Sequence, residues 1–568
     1  MKIHLLDMIV IASYFAGIIC LGLWISRRQA KGGKEFFLAG RSMKWPMIGA
    51  SLFATNISSQ QFVGQAGLAF TVGIIAGGFQ MVGAMCFMFL AIFFIQTYMG
   101  MNLTTSPEFF EKRFSPGCRT IVSFINLMMV VLANLAASLY AGAMVLTHLL
   151  GWDVSQHSNE LFWTAVILMG AAAGTYTLLG GLKAVMICNF IEMCVLVMGG
   201  VLLLVFGVMK VGSISEALAF TSVETGRSMW DLVQPWDHDF GWLPMITGTF
   251  VLGVHGHCTN QDYVQRALAA NDLYNAKMGA IFGGFLKVLA LFIIATPGVI
   301  AAKLVTMGTL VVPQGDSAYV ALLTDVMPKG LMGVCLAGLL AAIMSSVDSG
   351  LCSCGSLINY DFFAKIKKNA SDKALLRSGR IIMFTLLVLC IIVAPSIRHF
   401  KGLFDYLLYI WALLAPPVFI CVIFGLGYKK ANARAAFLTL MVGLFLGFAA
   451  FIFLRFPQME SLRQSVHPYF NNKLNLGFVN TIICAVVMLL GCKFVKHTKE
   501  DEEKAEYVRQ SRDVMPMSKS QKIKYRLFLS TLLIIWFAVL FFFSPIGIGK
   551  NTSNQELQSD DISAVVTE

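Results

Sequence analysis

Apolar residues in this chain gather into long unbroken blocks separated by short polar gaps. Fourteen such blocks can be drawn: 5–26, 45–70, 73–98, 118–150, 161–180, 182–208, 241–268, 276–305, 331–360, 378–397, 401–427, 433–454, 474–493 and 523–545. About twenty apolar residues in a helix cross roughly 30 Å of hydrocarbon. A backbone in lipid satisfies itself only as a helix or a closed barrel, and these runs are continuous rather than alternating, which selects helices. The pattern predicts an all-α membrane protein of about 14 transmembrane helices. The first block has only Lys2 in front and a basic stretch behind, where a signal peptide would carry small residues for cleavage, so it is expected to stay as a helix.

Composition narrows this further. Of 568 residues 57% are hydrophobic and 13% charged, too little charge to coat soluble domains of that size. A net charge of +12 would suit a nucleic-acid partner, but 31 of the 43 Lys and Arg residues fall in alternate loops, from Arg27 and Lys44 after the first block to Lys493 and Arg526 before the last. That asymmetry is the positive-inside pattern, which predicts both termini outside and removes the case for nucleic acid. The thirteen cysteines show no metal or disulfide spacing and read as packing residues. The polar inserts 209–240, 306–330, 455–473 and 493–522 and the tail 546–568 hold no separate domain, so 1–568 reads as one membrane unit. Residues 499–504 read as a solvated linker that could be helical, and Asn551-Thr552-Ser553 as an outward-facing glycosylation sequon.

Polar residues inside the spans are costly and carry the functional signal. The second block holds the run 54–61, the ninth holds Ser345, Ser346, Asp348 and Ser349, the eighth Lys287, and the sixth Asn189 and Glu192, three apart on one helix face. A hard cation such as sodium takes hydroxyl, carboxylate and carbonyl oxygens. A regular helix frees no carbonyl in mid-span, so the run 54–61, between Gly49 and the pair Gly64 and Gly67, is expected to interrupt its helix. Hydroxyls of Ser345 and Ser346 could complete such a site; alternatively the serines bond their own helix and Asn56 packs. A channel would need a filter sequence, which is absent, and an enzyme would need convergent catalytic groups that His255 and His257 do not supply, so no enzyme is expected.

The stretch SLFATNISSQQFVGQAGLAF (51–70) resembles the first core helix of the sodium/solute symporter family, sodium/glucose cotransporter branch. AGGFQ (76–80), YTLLGGLKAV (176–185), CTNQDYVQRALAA (258–270), FGGFLK (282–287) and LLAAIMSSVDS (339–349) continue the likeness in the family's order over roughly 5–450. The resemblance implies a five-plus-five inverted-repeat core of leucine-transporter type. The first repeat would be 45–208 and the second 241–427, with one extra helix, 5–26, in front and three, within 433–545, behind. It also implies a sodium site made of the Ala54, Ile57 and Ala342 carbonyls and the Ser345 and Ser346 hydroxyls. Some members have a second sodium site with an Asp where Asn189 stands. Asp348, with Asn189, Glu192, Ser345 and Ser349, is the set expected to replace it here, the alternative being a structural role for the two acids.

For the solute, the resemblance points to Gln61, Phe79, Gln80 and Lys287, amides and an ammonium suited to hydroxyls that both donate and accept, with Asn56 and, where the family's aromatic pair is missing, His255 or His257 as further candidates. The sequence departs where sugar-transporting relatives have Glu (Gln80), an aromatic pair (Gly256-His257) and a Gln (near Leu408), and Lys287 could equally form a structural ion pair. The expected function is sodium-coupled import of a small polar solute by alternating access, most simply a sugar or polyol. An organic or sugar acid, or a non-transporting sensor on the same scaffold, is the alternative. The expected partners are sodium, the solute and a cell membrane, bacterial inner or plasma, with no cofactor beyond the coupling ion.

Overall fold

The computed structural model of the protein describes residues 4–27, 33–58, 60–150, 158–222, 227–236, 238–312, 315–367, 371–399 and 403–549. The sequon at 551–553 and Ser59 of the polar run lie outside them. Every predicted block falls on helix. Among the described residues, eleven helices are by themselves long and apolar enough to cross a membrane. The other three blocks are the shorter apolar helix Glu160–Ala171 and two interrupted segments, 45–70 and 241–268.

In chain order the elements used below are α1 (Leu5–Arg27), α2 (Trp45–Asn56), α3 (Ala66–Val72), α4 (Ile74–Gly100), α5 (Pro116–Thr147), α6 (Gly181–Val211), α7 (Gln261–Leu268) and α8 (Leu273–Thr306). They continue with α9 (Leu331–Ile366), α10 (Lys373–Ile397), α11 (Leu403–Gly427), α12 (Ala433–Arg455), α13 (Lys473–Phe494), α14 (Lys499–Gln510) and α15 (Lys519–Phe542). The centre of the bundle is α9, 89% buried over its most apolar window, against 11% for α15. It packs on α6, α1 and α10, while α2 packs on α8 and α6. α11, α12 and α13 pack on one another to one side. Between blocks 161–180 and 182–208 the chain turns at Gly181, whose φ of 64° suits glycine and whose absent Cβ would stand 2.7 Å from the Phe36 carbonyl.

Both interruptions have local causes. α2 ends at Asn56, Ile57 is extended (φ −86°, ψ 94°), and helix resumes at Gln60. Gln61 Oε1 accepts from both Ser58 N and Ser58 Oγ at 2.8 Å, and Gln60 N donates to Ser58 Oγ at 3.1 Å, so side chains replace the lost backbone partners. The second break was not expected from sequence. It falls at Asn260 (φ −70°, ψ 135°), whose side chain accepts from Asp262 N at 3.3 Å and starts α7 as an N-cap. The chain leading into α2 is tied to the end of α7: Met43 N donates to Ala269 O (3.0 Å) and Asn271 N to Met43 O (3.1 Å).

Residues 499–504, expected as a solvated linker that could be helical, begin helix α14, which is docked on the bundle. Thr498 and Asp501 form a reciprocal capping box at its start. Asp501 Oδ1 also accepts from Ala433 N at 3.0 Å, Lys504 Nζ donates to Phe114 O at 2.8 Å, and Val508 is buried. Burial opposes charge on Asp501, but the donors from Thr498 and Ala433 hold its carboxyl below the ordinary value. Its contribution is present above the ordinary carboxylate range and lost as pH falls through the lowered folded value. Asp501→Ala is expected to loosen α14 by about 1 kcal/mol, read as faster amide exchange confined to 499–510, and acid should produce the same local loosening in the unaltered protein.

Candidate ion and solute site

The end of α2 meets the middle of α9. Ser345 Oγ donates to Ala54 O at 3.0 Å across the helices and also lies 3.1 Å from Ala342 O, while Ser346 Oγ donates to Ala342 O at 2.9 Å. The bonds to Ala342 are those of serines satisfying their own helix; the bond to Ala54 is not. Four of the five oxygens expected around sodium are thus linked, and all five residues, Ile57 included, are buried. Ile57, extended just past the end of α2, turns its carbonyl out of the helical ladder. This is an all-neutral, hard-oxygen set of the kind sodium takes. Among the described residues no three His, Cys, Asp or Glu side chains converge on a metal.

One turn further along α9 the chemistry changes. Arg266, on α7 and fully buried, donates from Nε to Ser51 Oγ (3.0 Å), from Nη2 to Ser349 Oγ (2.5 Å) and from Nη1 to Asp262 O. Ser349 Oγ also lies 3.2 Å from Thr55 Oγ1. Ser51 Oγ reaches Asn189 at 3.1 Å, and with its amide oriented to satisfy its neighbours Asn189 donates to Val185 O (3.1 Å) and Glu192 Oε2 (2.9 Å). Asp348 accepts from Thr177 Oγ1. Of the five residues expected to share a second sodium, Asn189, Glu192 and Ser349 therefore join one network through Ser51 and Arg266, Asp348 bonds elsewhere, and Ser345 faces the first site. Arg266 was counted in the sequence only as inside-loop charge; its place in the quoted CTNQDYVQRALAA stretch was the available signal.

Beyond the break lies a cavity of about 90 Å³. Six residues expected to hold solute line it: Asn56, Gln61, Phe79, Gln80, His257 and Lys287. Asn56 is its hub. Asn56 Oδ1 accepts from Lys287 Nζ, and Nδ2 donates to Tyr263 Oη (2.6 Å) and lies 3.3 Å from His257 Nε2. His257 Nδ1 is 2.8 Å from Gly253 O, which makes Nδ1 the protonated nitrogen and Nε2 the acceptor for Asn56. Lys287 Nζ also donates to Gln80 Oε1 at 2.7 Å, Gln80 in turn donates to Gln65 Oε1, and Gln65 Nε2 donates to Ala76 O at 2.5 Å. Among the described residues Lys287 forms no ion pair; the partners it has are amides.

Sequence reasoning missed Tyr263, Gln65, Asn134, Phe404 and Trp411, which share this wall. Gln65 lies four residues beyond Gln61, a helical spacing that was legible; the others come from distant helices. Phe79 packs edge-on against Phe404 (4.9 Å between centroids) and Phe240 (5.9 Å), an aromatic cover over one side. Two other residues named from the sequence are not in the wall: His255 turns to Thr259 Oγ1 at 2.6 Å, and Leu408 is buried within α11.

An all-helical bundle with two interrupted spans, carbonyls exposed at a break and a polar cavity beside them has the architecture of a secondary transporter. The chain belongs to the sodium:solute symporter family, whose model matches residues 36–443. It is 32% identical over 477 residues to sodium/glucose cotransporter 4 of Danio rerio, covering 78% of this chain and 71% of that one. To sodium/glucose cotransporter 1 of Sus scrofa it is 31% identical over 484 residues (78% and 72% covered). With sodium/myo-inositol cotransporter 2 of Bos taurus the identity is 29%, over 86% and 76% of the two chains. In fold it is similar to a Na+-coupled sialic acid symporter in a substrate-bound outward-open state (TM-score 0.72, 19% identity, 88% and 99% covered). It is also similar to a nucleobase-cation-symport-1 family transporter in a closed conformation (TM-score 0.53, 14% identity, 83% and 98% covered).

Arg266 places a planar fork on two serines, which a lysine point charge cannot reproduce. Arg266→Lys is expected to cost about 2–3 kcal/mol through lost charge-assisted hydrogen bonds, measurable as a lowered Tm of the detergent-solubilised protein, with no rescue by raising sodium.

Proposed function

We propose that this protein is a sodium-coupled symporter that imports a polyhydroxylated solute, a sugar or polyol, by alternating access. The observation that carries the reading is the adjacency of Ala54, Asn56 and Ile57 at one helix break. Ala54 O accepts from Ser345, Ile57 leaves the helical ladder just past α2, and Asn56 organises the solute cavity. Sodium held by Ala54, Ile57, Ala342, Ser345 and Ser346 braces the break and with it the orientation of Asn56, so ion and solute favour the same conformation. A ligand shifts a conformational equilibrium only by its differential affinity, and this shared backbone is the means of it. An inside-negative potential adds about 2.3 kcal/mol per charge per 100 mV to sodium entry.

The repeats are assigned to 45–208 and 241–427, a division supported by the breaks at Ile57 and Asn260, each in the first span of its half. The loop charge supports both termini outside a bacterial inner or plasma membrane. Relatives named for glucose and myo-inositol support the solute class. A second sodium among Asn189, Glu192, Ser345, Asp348 and Ser349 is the other reading of coupling, favoured by the buried acids. Against it stands the Arg266 guanidinium on Ser349, a cation the chain itself supplies, and one sodium per solute is the ratio we assign.

In proteoliposomes, Ser345→Ala is expected to raise the sodium concentration for half-maximal uptake about tenfold, or about 1.4 kcal/mol. An unchanged sodium curve would sink the assigned site. Reversal-potential measurement should return a sodium-to-solute ratio of one; a ratio of two would restore the second ion.

A further inference from the structure

Among the described residues, Lys287 is the only Lys, Arg, Asp or Glu in the wall of the solute cavity. It is 3% exposed, and among the described residues no carboxylate lies within ion-pair distance of it. Its two partners, Asn56 Oδ1 and Gln80 Oε1, are neutral. The relay through Gln65 to Ala76 O fixes Gln80 with its oxygen toward the ammonium, so the amide is held there as an acceptor. A cation inside a membrane protein paired only with amides is costly until an anion joins it.

The hydrogen-bond inventory of the wall points the same way. The ammonium has three protons and two acceptors, leaving one donor over. Tyr263 accepts from Asn56 through its oxygen and keeps its phenolic proton to give. Gln61 spends its oxygen on Ser58 and keeps its Nε2 protons. The Trp411 indole N–H, also in the wall, has no acceptor among the described residues. Against these donors the wall offers a few neutral acceptors, such as Asn134, and no carboxylate. A solute carboxylate brings an acceptor without a proton to the spare Lys287 donor and the Tyr263 hydroxyl, which a neutral hydroxyl in the same place matches less strongly.

We propose that the solute is an anionic polyol, a sugar derivative bearing one carboxylate. The carboxylate pairs with Lys287 beside the Tyr263 hydroxyl, and the hydroxyls are taken by the surrounding amides. This deepens the reading above and rests on it: the carrier and its sodium site are the same, and the charge of the cargo is specified. Gln80 becomes the residue that sets that charge, because a carboxylate at its position would neutralise Lys287 from within the chain.

The test is sodium-driven uptake into proteoliposomes of radiolabelled glucuronate and galacturonate beside glucose and galactose. At least one uronate is expected to enter about tenfold or more faster than its parent hexose at equal concentration. Gln80→Glu is expected to reverse that order. As a readout that does not depend on the variant's folding, unlabelled uronate should compete with labelled solute in the unaltered protein where the hexose does not. A hexose preferred over its uronate in the unaltered protein would overturn the inference and leave sodium-coupled sugar symport standing. If neither class enters in response to sodium, the proposed function fails and this inference with it.

Discussion

A helix that crosses lipid satisfies its own backbone, and breaking it there leaves carbonyls and amides with no water to turn to. The fold is organised around two such breaks, at Ile57 and Asn260. Each is made tolerable by side chains of its own segment: Ser58 and Gln61 at the first, Asn260 at the second. What those side chains leave over is the useful part. Ala54 O meets a hydroxyl from α9, and the Asn56 amide is exposed to a cavity. The most buried helix of the bundle, α9, stands against this weak point, and the least buried, α15, lies farthest from it in function.

Two buried cations divide the polar interior. Arg266 binds α7 to α2 and α9 through Ser51 and Ser349, and Asn189 carries the same network to Glu192 on α6. Lys287 on α8 is held by Asn56 of α2 and Gln80 of α4. The two networks share α7, which supplies Tyr263 to one and Arg266 to the other, and α2, within a handful of residues. Movement of either short segment is therefore felt in both, which is a physical basis for coupling an ion to a solute without any direct contact between them. The acids gather on the Arg266 side, and the solute side is left with donors.

The amount legible in the sequence differs by element. The fourteen blocks were visible because hydrophobic transfer acts on each residue locally and a span needs about twenty of them. The break at 54–61 was visible because eight residues there include six polar ones in the middle of an apolar run. The break at Asn260 was hidden: its polar neighbours continue into Arg266 and look like the start of a charged loop. Residues 499–504 were read as solvated because every position there is charged, yet Asp501 and Lys504 spend their charge on backbone groups of other segments.

Sequence alone determined that this chain lives in a membrane, that it is built of long apolar helices, and that residues 54–61, 345–349 and 287 are too polar to be there without a purpose. These are properties of residues and of their neighbours along the chain. Only the tertiary structure decided that Ser349 is held by Arg266, that Asp348 bonds Thr177, and that Lys287 finds amides and no acid. Which charge meets which partner depends on helices more than two hundred residues apart, as with Asn56 and Lys287, and hydropathy carries no record of that pairing. In a low-dielectric interior the pairing decides whether a buried charge is satisfied by the chain or left for a ligand to complete.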